Sequence, residues 1–288
     1  MNILITGGYG QLGSEFMHLS KESVHKFIFV NSKECNIQEA SILEKWIIDN
    51  SIDCIINCAA YTAVDLAEEN EKEAFDVNYV GVKNINDLSL KYDLKFIHIS
   101  TDYVFDGKKN TPYATTDPTN PIGIYGKSKR MGEEVIINSN SNSIIIRTSW
   151  LYSSFANNFT KTMLRLGKER SVLNVVADQF GSPTYARELA TAILYIIDIK
   201  KSFTDIEKIY HYSNEGSTNW SSFARAIFNT ANIDCIVNDI TTDQYPTKAE
   251  RPKYSILDSS KITEVFGVST RKWEEALLDC ILAIEKEI

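Results

Sequence analysis

The chain has 288 residues, 43% hydrophobic and 24% charged, with 30 Lys and Arg against 38 Asp and Glu for a net charge of -8. That length holds one large α/β domain or one domain with a smaller lobe, and that composition excludes a mostly disordered chain, a collagen-like chain and a coiled coil. No apolar run approaches the roughly 18 residues of a membrane span, and the acidic balance lacks the basic face of a nucleic-acid binder, so neither a membrane nor a nucleic acid is expected as a partner.

A first strand at Asn2 leaves no room for a cleavable leader. Cys35, Cys54, Cys58, Cys235 and Cys280 are odd in number, scattered and in mostly apolar contexts. They read as reduced, buried thiols, and a cytoplasmic protein is expected. Cys54 and Cys58 lack the second ligand pair that zinc requires.

Short apolar runs alternate with longer amphipathic stretches. Strands are predicted at residues 2–6, 26–30, 53–59, 95–100 and 143–147. Helices are predicted at residues 13–20, 40–50, 71–92 and 125–137, the second with Ile42, Leu43, Trp46 and Ile47 on one face. Alternation of this kind implies a parallel sheet covered by helices on both faces, with right-handed crossovers: a doubly wound, Rossmann-type α/β fold. After Trp150 the rhythm loosens, with helices predicted at residues 158–166, 186–197, 221–229 and 273–286. Residues 1–149 are therefore expected to form the dinucleotide-binding domain. Residues 150–288 would be mainly a smaller substrate-binding lobe, with part of 172–212 returning to the sheet.

Gly7, Gly10 and Gly13 stand between the first strand and the first helix in G-x-x-G-x-x-G spacing. Gly7 permits the tight turn, Gly10 lets the backbone approach a pyrophosphate held by the free N–H groups of the helix start, and Gly13 lets the helix pack on the strand. In this strand-turn-helix context the pattern points to a dinucleotide. An NAD site places Asp or Glu at the end of the second strand to grip the ribose 2′-hydroxyl. Asn31 stands there instead, with Lys33 close by. That favours NADPH and leaves NADH open.

Tyr125 and Lys129 are four apart on a predicted helix and so share a face. An ammonium beside a phenol is expected to lower the phenol's pKa and make Tyr125 a proton donor or acceptor. Ser100-Thr-Asp-Tyr-Val-Phe-Asp-Gly107 follows an apolar strand, and parallel strands present ligands at their carboxyl ends. Thr101 would there offer a hydroxyl to a substrate oxygen. Trp150 offers a flat face for a base or sugar and reads equally well as a core residue.

Glycine loop, Thr101 and the Tyr125–Lys129 pair together resemble the extended branch of the short-chain dehydrogenase/reductase superfamily. Within it the chain resembles the dTDP-4-dehydrorhamnose reductase family nearly end to end. The resemblance rests on Gly10-Gln-Leu-Gly13, Ala59-Ala-Tyr-Thr-Ala-Val-Asp65 with Ala67-Glu68, Asn78, and Ser100-Thr-Asp-Tyr-Val-Phe105. It continues through Tyr125-Gly-Lys-Ser-Lys129, Arg147-Thr-Ser-Trp-Leu-Tyr152, Asp178-Gln-Phe-Gly-Ser-Pro-Thr184 and Arg251-Pro252. The resemblance implies Thr101, Tyr125 and Lys129 as the catalytic triad. It implies Gly10, Gln11, Leu12, Ala59, Ala60, Tyr61 and Thr62 along the cofactor, with Asn36 and Ile37 beside the adenine. Thr101, Asp102 and Trp150 would touch a nucleotide-sugar substrate.

The implied reaction is NADPH-dependent reduction of the C4 keto group of dTDP-4-dehydro-β-L-rhamnose. Reduction of another nucleotide-linked 4-keto-6-deoxysugar, or a non-catalytic NADP-binding regulatory subunit, stay as alternatives. A dehydratase is disfavoured because Tyr103 follows Asp102 where those enzymes carry a second carboxylate. Some relatives form homodimers bridged by Mg2+ through glutamates. Glu15 and Glu188 match two of those positions, with Glu285 or Glu287 near the third. Glu15 and Glu188 read equally as surface helix carboxylates, so a homodimer and Mg2+ are left open.

Overall fold

A computed structural model describes residues 1–286; Glu287 lies outside the described residues. In chain order the strands are β1 (Asn2–Thr6), β2 (Lys26–Val30), β3 (Cys54–Asn57), β4 (Lys95–Thr101), β5 (Ser143–Thr148), β6 (Leu151–Tyr152), β7 (Val172–Val176), β8 (Phe180–Gly181), β9 (Thr184–Tyr185), β10 (Ile209–His211), β11 (Thr218–Asn219) and β12 (Ile236–Ile240). The helices are α1 (Gln11–Leu19), α2 (Ala40–Asp49), α3 (Val64–Ala67), α4 (Glu71–Phe75), α5 (Val82–Lys91), α6 (Ile124–Ile137), α7 (Phe159–Glu169), α8 (Ala186–Ile199), α9 (Trp220–Thr230), α10 (Ser260–Phe266) and α11 (Trp273–Lys286). Among the described residues no helix is long and apolar enough to cross a membrane.

Six strands form one sheet in the order β10-β5-β4-β3-β1-β2, with every neighbouring pair parallel. Side chains alternate across it. Ile3, Ile5, Ile56, Ile97 and Ile146 face one apolar layer with Phe16 of α1 and Leu189 and Ile193 of α8. Leu4, Ile55, Phe96 and Ile145 face the other, with Leu43 of α2, Ile85 of α5 and Ile136 of α6. Continuous apolar strands are what a doubly covered parallel sheet requires. The order reverses between β1 and β3, which opens a crevice at their carboxyl ends.

The helix expected over residues 71–92 is interrupted by a π turn at Asp76–Gly81. The wider turn brings Asn78 to the chain after β3. Its Oδ1 accepts from the Tyr61 amide at 2.9 Å, and its Nδ2 donates to the Tyr61 carbonyl and to Ser128 Oγ of α6. Single π turns of this kind frequently stand at functional sites.

β10 pairs with β5 at the edge of the sheet. The parallel pair β7–β12 packs with α7, α9 and α11 around Tyr152, Met163, Phe223, Phe228 and Trp273. The seven-residue α10 was not expected from the sequence; it is short and closes at Gly267.

Candidate active site

A cleft of about 730 Å³ runs along the carboxyl ends of β1, β3, β4 and β5. Apart from Lys33 and the glutamates considered for Mg2+, the site residues named from the sequence border it, from Gly7 through Asn31, Asn36, Ile37 and Ala59–Thr62 to Thr101, Asp102, Tyr125, Lys129 and Trp150. The pattern-based reading did not find Tyr9, Cys58, Thr148 and Ser149, which border it too. They carry no spacing signal.

At one end, Gly7 has φ 66° and its carbonyl accepts from the Gly10 amide at 3.0 Å. A Cβ on Gly13 would stand 2.5 Å from the Gly7 oxygen, closer than any side chain tolerates. The start of α1 has no side-chain cap and no acidic residue in its first turn. The Gln11, Leu12 and Gly13 amides have no acceptor one turn back within the helix, and a phosphate satisfies both them and the helix dipole. A Gly13→Ala variant is expected to lift the helix from the strand and weaken NADPH binding at least about tenfold, measured by titrating cofactor fluorescence.

At the end of β2, Asn31 Oδ1 accepts from the amides of Lys33 and Glu34, forming a tight turn. Lys33 is exposed and does not border the cleft. A carboxylate does stand at this corner: Glu34 Oε2 accepts from the Asn31 amide at 3.0 Å. It lies three residues beyond Asn31, the position at which an NAD site carries its carboxylate.

At the other end, Thr101 closes β4 and caps the next turn, accepting from the Tyr103 amide at 3.2 Å and donating to Asp102 Oδ1 at 3.0 Å. Tyr125 sits on the first turn of α6, whose Ile124 amide donates to Glu68 at 2.8 Å. Asp65 of α3 binds the Arg251 guanidinium through both carboxylate oxygens, at 3.1 and 2.7 Å, tying a loop from near the C-terminus to the cleft. These contacts are the physical role of Glu68, Asn78, Asp65 and Arg251, which the sequence motif alone does not reveal.

Burial pushes the Tyr125 phenol up to about 12, with the Thr101 hydroxyl opposing and the Asp102 charge reinforcing the rise. The lowering expected from Lys129 is absent. The lysine turns into the sheet, where Nζ donates to the Ile99 carbonyl at 2.7 Å. Tyr125 is therefore a protonated donor at neutral pH. Burial lowers Lys129 itself to about 8, opposed by the charges of Glu133 and Cys58.

Asp102 is 2% exposed, and burial raises it from 3.8 to about 6 against hydrogen bonds from Ser255 and Thr101. A carboxyl raised on folding weakens the fold as it ionises, so the penalty is absent below about pH 4 and complete above about pH 6. Asp102→Asn is expected to be more stable than the parent at pH 7.5, by up to about 3 kcal/mol. The advantage should vanish near pH 4 in thermal melts across that range.

Next to Lys129 on α6 lies a buried ion pair that periodicity could not reveal. Arg147 of β5 donates to both Glu133 oxygens, at 2.8 and 2.6 Å, and Ser100 Oγ donates to Glu133 Oε1 at 2.6 Å. Trp150, in the left-handed region at φ 46°, stacks on Trp220 at 3.5 Å and 7°.

Glu15 and Glu188, two of the carboxylates considered for Mg2+, are already engaged by other side chains. Glu15 is fully buried rather than at the surface; it accepts from Ser153 Oγ at 2.7 Å and Arg187 Nε at 2.8 Å. Glu188 accepts from Arg271 and Asn214. All four oxygens are taken, and two arginines already supply the positive charge. Among the described residues no group of three or more metal-binding side chains occurs. Mg2+ is not supported.

A dinucleotide cradle at a helix start, with a hydroxyl and a tyrosine–lysine pair facing the same cleft, defines an NAD(P)H-dependent oxidoreductase of the extended short-chain dehydrogenase/reductase class. The family model described as the RmlD substrate binding domain matches residues 1–285. The dTDP-4-dehydrorhamnose reductase of Aggregatibacter actinomycetemcomitans is 40% identical over 284 residues, 96% of each chain. The crystal structure of a dTDP-4-dehydrorhamnose reductase from Clostridium acetobutylicum superposes with a TM-score of 0.94 at 37% identity, covering 99% of this chain and 100% of that one. The Bacillus anthracis enzyme of the same name, in complex with NADP, gives 0.92 at 37% identity over 98% and 99%. The chain belongs to the dTDP-4-dehydrorhamnose reductase family.

Proposed function

We propose that the chain reduces the C4 keto group of dTDP-4-dehydro-β-L-rhamnose with NADPH, giving dTDP-β-L-rhamnose. The observation that carries this reading is the meeting of Thr101, Tyr125, Lys129 and an uncapped glycine-loop helix on one cleft, in a chain matched end to end by reductases of that name. NADPH is supported by the NADP complex of the Bacillus anthracis relative and by Asn31 at the ribose corner. Glu34 beside the Asn31 amide makes NADH the comparison to run.

The amides of Gln11, Leu12 and Gly13 take the pyrophosphate, Asn36 and Ile37 flank the adenine, and Ala59–Thr62 line the middle of the cofactor. When bound, the cofactor supplies hydride to the sugar's C4. Tyr125, kept protonated by burial, gives its proton to the oxygen as negative charge develops there. Thr101 hydrogen-bonds the same oxygen, a fixed dipole aimed where charge appears. Lys129 holds the nicotinamide ribose, and Asp102 and Trp150 hold the sugar nucleotide.

Among the described residues no disulfide forms, and a cytoplasmic setting belongs to the same reading. A homodimer belongs to the same reading and is read by light scattering.

The test is NADPH absorbance at about 340 nm with dTDP-4-dehydrorhamnose generated in situ. Oxidation that depends on the sugar nucleotide, faster with NADPH than with NADH, is expected. Oxidation only with a different keto sugar overturns the substrate assignment. Cofactor binding with no oxidation overturns the reaction and favours a regulatory subunit.

A further inference from the structure

Thr6, Asn57 and His98 lie side by side on β1, β3 and β4, in register with one another. All three are fully buried, in rows otherwise made of Leu4, Ile55 and Phe96. A polar row inside a parallel sheet is costly unless its members bond one another, and these do. Thr6 Oγ1 donates to Asn57 Oδ1 at 2.6 Å, Asn57 Nδ2 meets His98 Nδ1 at 3.1 Å, and His98 Nε2 meets Lys129 Nζ at 3.4 Å.

Hydrogen-bond direction along this row is fixed by the backbone. The Ala59 amide can only donate, and it donates to Asn57 Oδ1 at 3.2 Å. That orients the amide so that Asn57 Nδ2, a donor, points at His98 Nδ1, which must accept. A neutral ring then carries its proton on Nε2, the nitrogen facing Lys129. A charged Lys129 meets that N–H donor to donor. An uncharged Lys129 accepts it.

We propose that His98 is a positioning residue for the reductase chemistry: locked by Asn57 in the Nε2–H tautomer, it opposes the charged Lys129 and donates to its uncharged amine, which the Ile99 carbonyl holds in place, and so sets the alkaline limit of the reaction. The proposal rests on the reading of Lys129 as part of the catalytic triad. Other groups also face Lys129. Cys58 after β3 and Glu133 one turn along α6 favour the charged form. Glu133 is largely committed to Arg147 of β5. The Ile99 carbonyl takes one Nζ proton, which seats the amine in either charge state. Burial and the neighbouring Lys129 charge both keep the His98 ring neutral.

The test uses protein labelled with 15N in its four histidines, without cofactor or substrate, so its outcome does not depend on which sugar is reduced. Long-range 1H–15N correlation is expected to show one buried, neutral ring in the Nε2–H form, whose shifts step between about pH 7 and 9 as Lys129 titrates. That step should disappear in Lys129→Met. The other buried ring, His211, turns its Nδ1 to the Tyr113 carbonyl and is expected as Nδ1–H; an Nδ1–H form of the ring whose signals vanish in His98→Gln, or His98 shifts flat across that range in the parent protein, overturns the proposal.

Kinetics give a second reading through His98→Gln, which presents a carbonyl that can accept from Lys129. The alkaline limb of the kcat profile should then move up by about one pH unit. A limb that stays in place in a folded, NADPH-binding variant overturns the proposal. An inactive parent enzyme with the expected histidine signals overturns the reductase reading alone.

Discussion

Replacing Tyr125 by Phe is expected to lower kcat by about 10²- to 10⁴-fold, the usual contribution of a positioned proton donor. The ring stays in place, because its edge contact with Tyr103 at 5.5 Å and its seat on the first turn of α6 do not use the hydroxyl. NADPH affinity should therefore change little, and the loss should fall on kcat. The same geometry sets the pH response. With the phenol held up to about 12, Tyr125 does not limit the rate at neutral pH in the reducing direction. An alkaline limb near pH 8 would report Lys129, which burial lowers to about 8. Steady-state rates from pH 6 to 10 for parent and variant check both points.

Arg147→Met is expected to be the most damaging single change outside the cleft. It removes both guanidinium bonds to Glu133 and leaves a carboxylate that is fully buried, with the Ser100 Oγ hydrogen bond and a long contact to Arg130 Nη1 at 4.0 Å as its remaining partners. Stranding a buried charge costs about 3–5 kcal/mol, while replacing both partners by uncharged groups is often close to neutral. The single variant should lose on the order of 10 °C in thermal midpoint. The double variant Arg147→Met with Glu133→Gln should recover a large part of that. A double variant no more stable than Arg147→Met would show that the packing of the pair, rather than its charge balance, holds this part of the core. His211 reaches Arg147 at 3.4 Å and Phe105 lies under the guanidinium at 5.1 Å, so the loss would spread toward β10 and the loop after β4.

Local patterns carried the architecture. The apolar runs of β1 and β3–β5, the glycine loop and the Tyr125–Lys129 spacing each encode their geometry within a few residues. Pairings made at long range could not be read that way. Glu15 looks like any amphipathic-helix carboxylate until Arg187, 172 residues on, is folded against it. The π turn at Asp76–Gly81 leaves the helical pattern of its sequence intact and is explained only by what Asn78 must reach. Lys129 shares a helix face with Tyr125, as the spacing demanded. Its long side chain nevertheless bends into the sheet toward Ile99 and His98, so the electrostatic effect expected on the phenol does not arise. Spacing places Cα atoms; burial and hydrogen-bond partners decide where a flexible ammonium goes.

The most direct test of the account follows the hydride itself. The enzyme is supplied with NADPH deuterated at C4 of the nicotinamide and with dTDP-4-dehydrorhamnose, and the product is examined by mass spectrometry and NMR. The account predicts dTDP-L-rhamnose carrying a single deuterium at C4 of the sugar. Product without the label, label at another carbon, or NADPH consumed without a reduced sugar nucleotide would contradict it.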